Sequence, residues 1–99
     1  MLIEGRVQGV GFRATTRRIA RDIGLEGLVR NLRDGRVEIF CEGTQEQIDE
    51  LAARLRDLDR TVLGVRPRVE NLSVYYENED GFSPAWTSYS GFEVNHSMG

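Results

Sequence analysis

The chain has 99 residues, enough for one small domain, with 39% hydrophobic and 29% charged residues, a composition typical of a folded globular protein. Its net charge of −3 weighs against general nucleic-acid binding, for which a basic balance is expected. A single cysteine, Cys41, excludes an internal disulfide and a cysteine-based zinc site. The apolar stretches are too short to span a membrane or to form a secretory signal, so a cytoplasmic setting without membrane contact is expected.

The spacing of apolar residues in the first quarter of the chain predicts a strand followed by a helix. Residues 2–7 have strand character, and the glycine-rich stretch 8–11 ends that strand. From Phe12 onward the apolar residues recur at intervals of three and four, which predicts an amphipathic helix. Gly24 follows the last of them, where a left-handed helix cap is favoured.

A β-hairpin is predicted next. Two strand-like runs, 27–32 and 36–42, are separated by a short turn that contains Asp34-Gly35, and Asp-Gly is a strong hairpin signal because both residues tolerate positive φ. Alternation along the second run directs Cys41 inward, as a small hydrophobic residue rather than a reactive thiol.

A second helix and a further strand follow the hairpin. Thr44 and Gln47 have the spacing of a capping box, and the apolar stripe that follows predicts a helix through Leu58. Residues 61–67 are predicted to be a connection, and strand character returns at 69–76.

The C-terminal part is predicted to be a polar loop at 77–90, with residues 91–95 able to add a short last strand. Three aromatic side chains in the loop can pack onto the sheet or form a partner surface: Phe82, Trp86 and Tyr89. The element order is β-α-β-β-α-β with a fifth strand left open. It predicts a single α+β domain over 1–99, a ferredoxin-like sandwich in which an antiparallel sheet carries both helices on one face.

The charge distribution indicates where an anion site is to be sought. All thirteen cations are arginines, and eight of them lie in residues 1–36 beside only four acidic residues. Residues 5–13, GRVQGVGFR, run from a strand through small residues into the first turn of a helix, where loop amides and the helix dipole can converge on an anion. Arg13 can clamp the same anion with paired donors. The alternative is a tight turn that carries a surface arginine.

A dinucleotide-binding motif is a weaker interpretation of the same stretch. Residues 9–14 match G-x-G-x-x-G/A formally, but the second strand turns back through a hairpin and offers no parallel βαβ unit. A Walker-type phosphate loop is excluded because the chain has no lysine.

Two separated motifs at matching spacing resemble the acylphosphatase family: GRVQGVGFR at 5–13 and GLEGLVRN at 24–31, followed by DGRVEI at 34–39 and EG at 42–43. The resemblance implies hydrolysis of a small acyl phosphate to a carboxylate and inorganic phosphate, on a ferredoxin-like fold, without a metal or other cofactor. It implies that the loop amides and one arginine bind the phosphoryl group, that is Gln8, Gly9, Val10, Gly11, Phe12 and Arg13. It further implies that Asn31 positions the attacking water. The first strand is shorter, and the loop 77–90 longer, than is usual in the family.

Three alternatives remain open. A non-catalytic anion-binding or regulatory module of the same fold fits the short first strand, and a domain of a carbamoyl-phosphate-handling protein shares the motif, although Ala14 stands where a proline is expected. An RNA-recognition module shares the element order but needs stacking aromatics on its third strand, where only Phe40 is present between acidic residues. The single histidine, His96, lies near the C-terminus, where a solvated side chain is expected rather than a base or a ligand.

Overall fold

A computed structural model of the chain describes residues 1–58, 67–96 and 98–99. In chain order these residues form β1 (Leu2–Arg6), α1 (Phe12–Ile23), β2 (Glu26–Asn31), β3 (Val37–Glu42), α2 (Gln45–Arg56), β4 (Arg68–Ser73) and β5 (Phe92–Val94). The predicted β-α-β-β-α-β order is confirmed, and the C-terminal strand is present. The connection predicted at 61–67 lies outside the described residues except for Pro67.

The strands form one sheet in the order β4-β1-β3-β2-β5. β1 is antiparallel to β3 and β4, and β2 is antiparallel to β3, as predicted. β5 pairs with β2 in parallel, with Val94 opposite Val29, so the complete sheet is mixed. Because β1 and β2 flank β3 and both run against it, their C-terminal ends lie at the same end of the sheet.

The two helix caps predicted from the sequence are present, one at the end of α1 and one at the start of α2. Gly24 adopts a left-handed conformation, with φ of 98°, and its N–H donates to carbonyl oxygens in the last turn of α1. Thr44 and Gln47 form the reciprocal capping box at the start of α2, with bonds of 3.2 Å and 2.8 Å. α2 ends at Arg56 and β4 at Ser73, each a few residues before the predicted boundary.

The hydrophobic core lies between the two helices and one face of the sheet. Every second residue of a strand packs against helix residues that are three or four positions apart. Burying each large apolar side chain stabilises the folded state by about 1.5–3 kcal/mol. The fully buried members include Ile3, Val29, Val37, Ile39, Phe12, Leu51 and Leu55. Cys41 is partly buried against this cluster, as its alternation predicts. No helix within the described residues has the length and apolar character to cross a membrane.

The loop after β4 packs over the opposite face of the sheet. There the Arg30 guanidinium lies 2.7 Å from the Glu38 carboxylate and 4.0 Å from the centre of the Trp86 ring. Phe40 lies on the same face and contacts two rings of the loop, Phe82 and Tyr89. These aromatic residues therefore pack onto the sheet, one of the two uses that the sequence left open, and Glu38 is 91% buried beneath them.

Candidate active site

The loop between β1 and α1 is held at both ends and open in the middle. Val7 and Phe12 are buried in the core, so Phe12 can offer only its main-chain amide to a ligand. Gly9 and Gly11 both have φ of 74°, a left-handed conformation that strains residues with a Cβ. Apart from the neighbours of each glycine in the chain, no atom of the described residues lies within 4 Å of the Cβ position at either glycine, so the loop is open there. Val10, between them, is partly buried against the core.

The N-terminus of α1 has unused capacity for an anion. Its N-cap, Gly11, has no side chain to accept from the first free amides, and the first turn contains no acidic residue. The positive end of the helix dipole is therefore uncompensated by a local carboxylate. Such a terminus favours a bound anion.

Arg13 lies in this first turn. Its Nη1 donates to the main-chain oxygen of Asn95 at 3.3 Å, just beyond β5. Within the described part of the chain this is the only hydrogen bond of its guanidinium, so most of its five donors remain available to a ligand.

Asn31 is the last residue of β2 and lies opposite Val37 of β3. It alternates with Arg30 and so is on the same face as Val29, the face that carries the helices. Its side-chain Oδ1 is buried and has no hydrogen-bond partner among the described residues. A buried acceptor without a partner costs about 1–3 kcal/mol, so this oxygen favours a bound water or substrate group.

The side chain of Gln8 joins the loop to the β2–β3 hairpin. Its Nε2 donates to the carbonyl oxygens of Leu32 at 2.7 Å and Arg36 at 2.8 Å. Leu32 directly follows Asn31, so the loop and the strand end that carries Asn31 are in contact. The family resemblance implies a role for the main-chain amide of Gln8 in binding the phosphoryl group. Nothing in the local sequence pattern indicates that its side chain bonds to these two carbonyl oxygens.

The turn of the hairpin has a structural explanation. Asp34 accepts from the main-chain N–H of Arg36 at 3.1 Å and from its guanidinium at 2.8 Å. The Arg36 guanidinium therefore lowers the pKa of the Asp34 carboxyl. Because this carboxylate is engaged within the turn, Asp34 is not a candidate base.

Two further features bear on the site. Among residues 1–58, 67–96 and 98–99, no three His, Cys, Asp or Glu side chains are grouped closely enough to hold a metal ion. A cavity of about 310 Å³ lies between Met1, Glu42 and Tyr76, at the opposite end of the sheet from the loop. The candidate site is therefore defined by its polar groups at the surface and not by this cavity.

The fold and the loop together describe a small α+β domain, a ferredoxin-like sandwich with a glycine-containing loop between its first strand and first helix. The family profile described as Acylphosphatase matches residues 1–85. An acylphosphatase of Roseiflexus sp. (strain RS-1) is 40% identical over 90 residues, which cover 87% of this chain and 91% of that protein. The chain belongs to the acylphosphatase family.

Matches over shorter stretches of the chain reach higher identity. An acylphosphatase of Pseudomonas paraeruginosa is 59% identical over 49 residues, so this match spans about half of each protein, 50% of this chain and 54% of the relative. The crystal structure of acylphosphatase from Bacillus subtilis is similar over 95% of this chain and 92% of that one, with a TM-score of 0.71 and 28% identity. The ferredoxin-like fold is thus shared with a solved acylphosphatase.

Proposed function

We propose that this protein is an acylphosphatase that hydrolyses a small acyl phosphate to a carboxylate and inorganic phosphate. The observation that carries the proposal is the buried Oδ1 of Asn31, which has no hydrogen-bond partner among the described residues and lies at the strand end that the β1–α1 loop contacts through Gln8. Family membership supports the reaction class.

The phosphoryl group is bound by main-chain amides of Gln8, Gly9, Val10, Gly11 and Phe12 and by the guanidinium of Arg13. Amides around a left-handed loop and a helix N-terminus bind anionic oxygens without a reorganisation cost. The planar guanidinium adds two parallel donors and a permanent positive charge. Together they neutralise charge on the equatorial oxygens of the transition state.

The attacking water is positioned by Asn31. Its Oδ1 accepts one hydrogen of the water, and this orients an oxygen lone pair towards phosphorus. Asparagine is uncharged and cannot take the proton, so a phosphoryl oxygen of the substrate receives it. Positioning alone is enough because the reaction proceeds through a loose transition state with little covalent demand on the protein.

The leaving group explains why the site contains no general acid. Water oxygen forms a bond to phosphorus while the bond from phosphorus to the acyl oxygen breaks, and the bonding electrons leave on a carboxylate. A carboxylate has a low pKa and departs without being protonated. We therefore expect the reaction to need no metal or other cofactor. We also expect the protein to act in the cytoplasm, with neither nucleic acid nor a membrane as a partner.

The test is hydrolysis of a small chromogenic acyl phosphate by the whole chain, with and without a chelator, beside phosphate binding measured by calorimetry. We expect turnover that is unchanged by the chelator and is inhibited competitively by inorganic phosphate. Phosphate binding without turnover would overturn the proposal in favour of a non-catalytic anion-binding module. Loss of turnover with the chelator would overturn the metal-free mechanism.

A further inference from the structure

The side-chain amide of Gln8 contacts the two residues that close the β2–β3 hairpin. The main-chain N–H of Leu32 donates to the carbonyl oxygen of Arg36 at 2.8 Å, and Gln8 Nε2 donates to both carbonyl oxygens of this pair, at 2.7 Å and 2.8 Å. These partners are 24 and 28 residues away in sequence. Both hydrogens of the Gln8 amide nitrogen are thus used on the hairpin, and neither is directed at a substrate.

We propose that the Gln8 side chain is a positioning residue, which holds the phosphoryl-binding loop at a set distance from the water-positioning Asn31. This inference rests on the proposed function, because it assumes that the phosphoryl group and the water bind to these two elements. The loop contains two left-handed glycines and lacks a capping side chain, so its own residues restrict it little. Its tie to the hairpin comes from residue 8.

Glutamine suits this position for a chemical reason. The two carbonyl oxygens need two donors from one uncharged nitrogen, which a carboxamide provides. Methionine has a side chain of similar length but no donor, and asparagine is one methylene shorter. Glutamate would place a carboxylate against two carbonyl oxygens at neutral pH, whereas its protonated form has one O–H donor that restores one of the two bonds.

The experiment compares Gln8→Met, Gln8→Glu and a matched control, Gln47→Met, in the whole chain. Gln47 also bonds through its side chain, to the Thr44 N–H at 2.8 Å and to the Ile23 carbonyl oxygen at 3.3 Å, so its replacement removes comparable bonds at the start of α2. The measurements are kcat, KM, inhibition by phosphate, thermal midpoint and amide hydrogen exchange at residues 9–12. Kinetics are compared at a temperature where every variant is folded.

We expect Gln8→Met to lower kcat by about tenfold or more, because small displacements of a reacting group are costly, and to speed exchange of the loop amides. Gln47→Met should lower the thermal midpoint but leave kcat and phosphate inhibition within about twofold of wild type. Gln8→Glu should be less active than Gln8→Met at pH 7 and should regain activity as the pH falls through the pKa of the new carboxyl. A purely structural role would not produce this pH profile.

Two results overturn the inference. In the first, Gln8→Met keeps kcat, phosphate inhibition and amide exchange of the loop at wild-type values. In the second, Gln8→Met and Gln47→Met change kcat equally when their thermal midpoints fall equally. A wild-type protein without turnover would instead refute the proposed function. Even then, loop exchange in Gln8→Met would still show whether this side chain restrains the loop.

Discussion

Arg13 and Asn95 join the first turn of α1 to the segment that follows β5, through a bond of 3.3 Å from Nη1 to the main-chain oxygen. Asn95 is itself placed by the sheet, because its N–H donates to the carbonyl oxygen of Val29 in β2 at 2.8 Å. One guanidinium nitrogen is therefore held by the segment after β5, while the others have no hydrogen-bond partner among the described residues. The proposed phosphoryl clamp thus depends on the parallel pairing of β5 with β2.

Arg13→Ala should abolish phosphate binding and turnover together, because the guanidinium is proposed to bind the phosphoryl group in both ground and transition states. A hydrogen bond to a charged group contributes about 1.5–3 kcal/mol, so phosphate affinity should fall by at least tenfold. Arg13→Lys should restore little, since a point charge does not reproduce the planar fork. Calorimetry with inorganic phosphate checks both variants.

The matched control for Arg13 is Arg17→Ala, four residues further along α1, where the side chain is exposed. This variant removes the same charge from the same helix and should change phosphate affinity only slightly. Equal loss of affinity in both variants would mean that net charge, and not the Arg13 clamp, governs binding.

Asn31→Ala should separate catalysis from binding. If Asn31 orients water, kcat should fall about a hundredfold or more, equivalent to about 3 kcal/mol of transition-state stabilisation, while inhibition by phosphate stays nearly constant. The thermal midpoint should not fall much, because the change removes a buried acceptor that has no partner among the described residues. Steady-state kinetics and thermal unfolding on one preparation provide both readouts.

Asn71→Ala, at an exposed position of β4, is the control for Asn31 and should leave kcat unchanged. An Asn31→Ala protein that keeps most of its kcat would remove Asn31 from the proposed mechanism. One that is unfolded at the assay temperature would assign it a role in folding.

Arg30→Met should destabilise the protein, because it leaves the Glu38 carboxylate unpaired beneath the loop, where that side chain is 11% exposed. Loss of one partner of a mostly buried ion pair should cost on the order of 2 kcal/mol. The double variant Arg30→Met with Glu38→Leu should recover much of this free energy. Urea unfolding measures all three proteins.

A second ion pair of the same kind serves as the comparison for Arg30. Arg54 lies 2.5 Å from Glu50 and 2.9 Å from Asp22, but these side chains are 43–69% exposed. Arg54→Met should therefore change the free energy of unfolding much less than Arg30→Met does. If the two arginine variants were equally unstable, burial would not be what makes the Arg30 pair important.

Burial raises the pKa of the Cys41 thiol, so the neutral form persists in the folded protein at a pH where the unfolded chain already forms thiolate. Iodoacetamide should therefore alkylate Cys41 more slowly in the folded protein than in denaturant at pH 8–9. The neutral thiol therefore stabilises the folded protein, and its full contribution to the free energy of unfolding is present below the unfolded pKa of about 8.5. This contribution is lost as the pH rises through the higher pKa of the folded state. Cys41→Ala should remove this alkaline dependence without changing turnover, and equal alkylation rates in both states would contradict the prediction.

Much of the fold could be predicted because its signals are local. The three-and-four spacing after Phe12, the left-handed Gly24 and the capping box at Thr44 each depend on neighbours within one helical turn, so the pattern alone locates both helices. The Asp34-Gly35 turn sets the hairpin for the same reason. The glycine-rich loop and the helix start indicated Arg13 as an anion clamp before the family resemblance did, whereas the role of Asn31 rests on that resemblance; both roles remain predictions.

Other features of the protein depend on contacts between residues that are distant in the chain, and only the tertiary structure shows these. Alternation placed Glu38 on the outer face of β3, but only packing of the later loop buries it beside Arg30. A strand as short as β5 carries too little periodicity to reveal its parallel partner, and the carbonyl oxygens that accept from Gln8 have no side-chain signature at all. The sequence by itself determined, to within a few residues, where the helices and the first four strands lie and which face of each is apolar, because those depend on local backbone preference and side-chain spacing. Only the assembled sheet determined which loop, strand end and terminal segment meet, because that depends on packing and hydrogen bonding across long stretches of chain.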